Sequence, residues 1–206
     1  STTVAAPKKR IRGLGITMRA LSNSKIILAY GAFYAFFIAV VIGILYPSIS
    51  SINMNAYLTS NAVAGLLGAR LTNANSYSAL AALELYSSFY ALIWGGIIAY
   101  IAGSTLPAAI ENGTLDLALS RPVGRTRYYL EVWLSAVIGA VILSVATFAA
   151  VWVSTLFVKN AGIDWTWLLI AQSIELAAMF LASGIGVLFG SCLLYTSDAA
   201  DDLTRV

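Results

Sequence analysis

The chain has 206 residues, of which 60% are apolar and only 10% charged, with 12 Lys and Arg against 9 Asp and Glu. Its mean hydropathy of +0.84 lies far above that of an ordinary water-soluble domain. One cysteine and no histidine exclude a disulfide framework, a zinc site and histidine-based acid–base catalysis, and no nucleophile, base and orienting group stand together in a catalytic pattern.

Residues 1–25 carry Lys8, Lys9, Arg10, Arg12, Arg19 and Lys25 with no acidic residue among them. Residues 1–9 read as a disordered tail. Further on, Ile11, Leu14, Ile16, Met18 and Leu21 stand among the basic residues, a pattern that predicts a short elbow helix lying in the membrane interface. Four apolar runs follow, at about 26–46, 85–106, 134–158 and 166–191. At ~1.5 Å per residue each can cross a ~30 Å hydrocarbon core. The first run is too long for a signal-peptide core, and Tyr46, Pro47 and Ser48 make no small-residue cleavage site, so it stays in the protein. Unbroken runs predict an all-α polytopic membrane bundle of four transmembrane helices, because a barrel would show alternating strands of about ten residues.

Between the first two runs, 47–84 is a segment rich in Ser, Asn and Ala. Its middle, 59–71, fits a short amphipathic helix or a flexible loop, with Gly65 and Gly68 weakening the helix. Only residues 159–165 join the third and fourth runs, which makes them an antiparallel pair turning at Asn160, Ala161 and Gly162. Trp165 and Trp167 suit an interfacial aromatic belt. Small residues recur every fourth position as Gly31, Ala35, Ala39 and Gly43, as Gly95, Ala99 and Gly103, and as Ala182, Gly186 and Gly190, a pattern that lets helices approach closely. The fourth run holds one carboxylate, Glu175, ~15 Å from its start, with Gln172 nearby. Those two residues form a candidate intramembrane polar site.

Orientation follows from the basic residues. Six precede the first run and Arg121, Arg125 and Arg127 follow the second, whereas Arg70 and Lys159 belong to the other side, nine against two. The positive-inside rule then places the N-terminus and the 107–127 segment in the cytoplasm. A positive cluster beside a first span sets topology rather than binding nucleic acid. In a Cys192→Ser background, Ser120→Cys and Ser60→Cys are expected to label from opposite faces of the membrane, with residue 120 inside. Labelling from one face would mean that the spans are miscounted.

The 107–127 segment is a compact, basic insert caught between two spans and reads as the place where the chain engages a water-soluble partner. Pro107 predicts the start of a new helix, Glu111 lies near its N-terminal end, Leu115, Leu117 and Leu119 supply apolar surface, and Arg121-Pro122 with Gly124 ends it. The string ENGTLDLALSRPVGR over residues 111–125 resembles the cytoplasmic signature of type 2 ABC transporter permeases, in which a Glu, a Gly-Thr-Leu, a run of leucines and a Ser-Arg-Pro precede a further Arg. The layout is similar too: elbow helix, first span, outer segment, second span, this insert, then two tightly joined spans. The resemblance implies a permease subunit, an exporter of the cell membrane, multi-pass and prokaryotic, whose insert docks a separate ABC ATPase. Glu111, Gly113, Thr114, Leu115, Arg121, Pro122 and Arg125 would then be its ATPase-facing or loop-shaping positions. The chain contains no Gly-Lys-Ser or Gly-Lys-Thr phosphate loop, so ATP and magnesium would sit on the partner, with no cofactor, metal or catalytic residue in this chain. Besides the ATPase and the bilayer, the expected partner is a second permease, as homodimer or pseudo-dimer.

Family members usually have six spans, and this chain has four. From about residue 192 the sequence LLYTSDAADDLTRV, with Asp198, Asp201 and Asp202 close together, departs from what precedes it and resembles adapter read-through, so 192–206 is expected to be non-native. The Asn112-Gly113-Thr114 sequon falls on the cytoplasmic side and reads as a chance match. Two other classes stay open: a secondary transporter coupled through Glu175, and a non-transporting membrane scaffold that needs only the small-residue stripes.

Overall fold

The computed structural model describes residues 14–49, 76–111, 125–158 and 161–204. Among them there is no strand. Expectations for residues 1–13, for a helix at 59–71 and for 112–124 lie outside the described residues.

Helix α1 spans Gly15–Ile49, 35 residues or about 52 Å, and takes in Lys25 without a break. Residues 15–25 therefore extend the first span rather than forming a separate elbow. No glycine or proline interrupts residues 16–30, and the Ser24 hydroxyl bonds back to the Ala20 carbonyl at 3.0 Å, so nothing in the backbone asks for a bend.

Helix α2, Tyr77–Tyr86, begins in the Ser-, Asn- and Ala-rich segment 47–84 and runs into the start of the second apolar run. Ser76 starts it by accepting from the Ala79 N–H at 3.2 Å. Extended geometry at Ser87 (φ −73°, ψ 161°) ends it. Helix α3, Ser88–Glu111, begins at once and carries Pro107 inside it, which corrects the expectation of a new helix starting at that proline. A proline in this place removes the N–H that would have bonded the Gly103 carbonyl. That carbonyl instead faces Gly190, where an added Cβ would sit only 2.6 Å from it. Membrane helices tolerate prolines when a neighbouring helix covers the freed group.

Helix α4, Arg125–Ser154, starts well before the apolar run at 134 and ends in a 3-10 turn at Thr155–Phe157. Gly162, at φ 59°, takes the left-handed backbone that the expected turn requires. Helix α5, Trp165–Thr204, is capped by Asp164, whose side chain accepts from the Thr166 and Trp167 N–H groups at 2.9 and 3.4 Å. It runs as helix past Cys192 to Thr204, with no break where the composition changes.

The helices pair in two parallel couples. The start of α1 bonds to the start of α4 through Glu131, and Gly43 meets Ser154 at their far ends. Tyr86, just before α3, reaches Gln172 near the start of α5, and Gly103 meets Gly186 and Gly190 at the other end. The two couples run antiparallel to each other. Trp94, Ile98, Leu143, Leu28, Ala35 and Met179 fill the space between them. The expected small-residue stripes make these couples: a Cβ on Gly103 would lie 2.9 Å from the Gly186 carbonyl, and one on Gly31 would lie 2.9 Å from both Leu143 and Trp94. Such backbone proximity matters because helices in lipid gain little from burying apolar surface and associate through close packing.

Outside the core, Phe33, Phe37, Leu92, Ile174, Leu181 and Leu188 are exposed, an apolar exterior suited to hydrocarbon. Four stretches, Gly15–Ser48, Tyr77–Thr105, Thr126–Phe157 and Trp165–Cys192, are long and apolar enough to cross a membrane. The chain is thus an all-α membrane bundle. Arg19, Lys25 and Arg127 mark one end of it, the end that also carries Glu111 and Arg125.

Candidate functional site: a polar network inside the bundle

The inward face of α5 can be followed as Gln172, Glu175, Met179, Ser183, Gly186 and Gly190, all buried and spaced by three or four residues. That spacing places Glu175 one turn from Gln172 and aims both into the bundle rather than toward lipid. Only 4% of Glu175 and 7% of Gln172 are exposed. The structure therefore brings together the two residues that the sequence analysis singled out within the fourth span.

Two partners come from other helices. The Tyr86 hydroxyl, at the junction of α2 and α3, donates to Gln172 Oε1 at 2.7 Å. Gln172 Nε2 donates to Ser144 Oγ on α4 at 2.8 Å and to Glu175 Oε2 at 3.3 Å. Gln172 is thus the hub: its carbonyl and amide are both used, and the donor order runs from Tyr86 through Gln172 to the carboxylate. Glu175 Oε1 is buried and has no hydrogen-bond partner among the described residues.

The network stands about 10 to 15 Å from the start of α5, inside the hydrocarbon depth. A carboxylate left unpaired there costs on the order of a few kcal/mol. Among the described residues the one ion pair is Arg127 with Glu131, at the basic end. No group of three His, Cys, Asp or Glu side chains among the described residues could hold a metal ion. Chemically, the network can accept a hydrogen bond or a positive charge at Glu175 Oε1.

Tyr86 and Ser144 escaped the sequence analysis. Tyr86 lies at a helix break with no composition signal, and Ser144 is one of several small polar residues that ordinarily bond back to their own helix, as Thr147 does to the Leu143 carbonyl at 2.9 Å.

Of the coupling positions read from sequence, Glu111 is the last residue of α3 and Arg125 the first of α4. Gly113, Thr114, Leu115, Arg121 and Pro122 lie outside the described residues. Compared with known proteins, the chain matches no family model, and no curated protein or solved structure matches it.

Proposed function

We propose that this chain is the membrane-spanning permease subunit of an ABC transporter, an exporter driven by ATP hydrolysis on a separate subunit that docks on residues 107–127. The 111–125 string carries the reading. Its ends support it: Glu111 closes a helix about 36 Å long and Arg125 opens one about 45 Å long, so a load applied between them reaches deep into the bundle. The end that bears them is also the basic end, which the charge rule assigns to the cytoplasm, where ATP is found. ATP and magnesium belong to the ATPase, and the cell membrane is the expected location.

The test is assembly and coupling. The intact protein is expected to co-purify with a soluble ATPase that contains a phosphate loop, and the double variant Glu111→Ala, Arg121→Ala is expected to weaken that association or to leave hydrolysis running without transport. Unchanged assembly and unchanged coupled transport in the double variant would remove the role assigned to these residues.

One observation favours a second reading. A buried carboxylate with an unpartnered oxygen is what a secondary transporter needs for ion coupling, and Glu175 provides it. The two readings differ in their energy source: transport by proteoliposomes that requires an ion gradient and no ATPase supports the second and excludes the first.

A further inference from the structure

Among the described residues, none ahead of α1 offers its first turn a side-chain cap. Leu14 precedes it with φ 92°, a left-handed backbone that is costly for leucine, and its carbonyl accepts from the Met18 N–H at 3.0 Å. Leucine has no side-chain oxygen to offer the free N–H groups of a helix start. The missing oxygen comes from α4. The Ile16 N–H donates to Glu131 Oε2 at 3.2 Å, although the two residues are 115 positions apart in sequence. Beside it, the Thr17 hydroxyl donates to the Glu131 backbone carbonyl at 3.0 Å. The other carboxylate oxygen, Oε1, accepts from Arg127 Nε at 3.0 Å.

Glu131 is buried despite its charge, with 8% of the residue exposed, and both carboxylate oxygens are engaged. Its negative charge also faces the positive end of the α1 dipole. Further along, Gly31 lies against Leu143 and Gly43 against the Ser154 carbonyl, which keeps α1 beside α4 in one axial register. The bonds at Glu131 fix that axial register, within two turns of Arg125, where α4 emerges from the 112–124 segment.

We propose that Glu131 is a positioning residue that ties the start of α1 to the first turns of α4, so that displacement of the 112–124 segment moves α1 together with α4. The inference rests on the permease reading, since it is the docked ATPase that would displace the segment.

The test uses the full chain with its ATPase and Cys192→Ser as background. Spin labels at Met18→Cys and Ile174→Cys report on α1, and labels at Leu130→Cys and Ile174→Cys report on α4; all three positions are exposed. In the parent protein, trapping with ATP and vanadate is expected to shift both distance distributions. With Glu131→Met or Thr17→Val, the α4 shift should persist while the α1 shift falls to about half or less, at unchanged ATPase association. An α1 shift that survives in full in both variants overturns the inference and leaves the permease reading standing. A parent protein in which neither pair shifts overturns the permease reading itself. The milder substitutions keep side-chain size, and the thermal midpoint of each variant is measured alongside to show that it is folded.

Discussion

Gly186→Leu is expected to abolish the folded bundle or to lower its stability by about 3 kcal/mol or more, whereas Gly184→Leu, two residues away on the same helix, should change it by about 0.5 kcal/mol or less. A Cβ at Gly186 would lie 2.8 Å from the Ala99 Cα and 2.9 Å from its carbonyl carbon. Those are backbone atoms, which cannot turn aside as a side chain can. The only relief is to push α3 away from α5, and that separation would also open the contacts of Gly103 with Gly186 and Gly190. At Gly184 the same Cβ meets nothing within 4 Å. Thermal denaturation in detergent, read with the monodisperse fraction after purification, separates the two variants. Equal behaviour would mean that α3 and α5 do not pack through this stripe. Both substitutions add the same leucine to the same helix, so a general effect of hydrophobicity or of helix propensity cancels between them.

The contrast also shows what the sequence made legible. Small residues, glycine or alanine, at every fourth position along 182–190 and 95–103 announced a close helix contact, because few other reasons put small residues at that spacing in a span. Which stripe faced which was not legible: periodicity gives the face of one helix and says nothing about its partner. Element ends were harder still. The apolar run began at 134, yet α4 starts at Arg125, since Tyr128, Glu131 and Val132 are buried by contact with neighbouring helices that the run itself does not reveal. Pro107 read as a helix start because a proline is unfavourable inside an isolated helix, and the packing of α5 against the freed carbonyl changes that balance. Within the candidate site, Glu175 was conspicuous as the one charge in the four apolar runs. Its partners were not, because Tyr86 and Ser144 approach from two other helices.

Gln172→Leu should be the most destabilising single change at the polar network. Leucine fills a similar volume but removes both the acceptor for Tyr86 and the donor for Ser144 and Glu175. Hydrogen bonds between membrane helices average ~0.6 kcal/mol, so three lost bonds give about 2 kcal/mol as a floor. Leaving the partners buried and unpaired adds more, ~1–3 kcal/mol for each group that finds no water. Glu175→Gln should behave in the opposite way: it keeps the shape and is expected to match or exceed the parent protein in thermal midpoint, because it removes the cost of burying a charge while leaving one unpartnered polar group where Oε1 was. The double variant Gln172→Leu, Glu175→Leu should recover part of the loss of the single one, since removing both members of a buried polar pair costs less than orphaning one of them. Midpoints measured at one pH in one detergent would order the set as Glu175→Gln at the top, then parent, then the double variant, then Gln172→Leu. A Glu175→Gln variant that falls well below the parent would reverse the electrostatic reading: the carboxylate would then be held by a positive partner from outside the described residues, and the unpartnered oxygen would be that partner's seat.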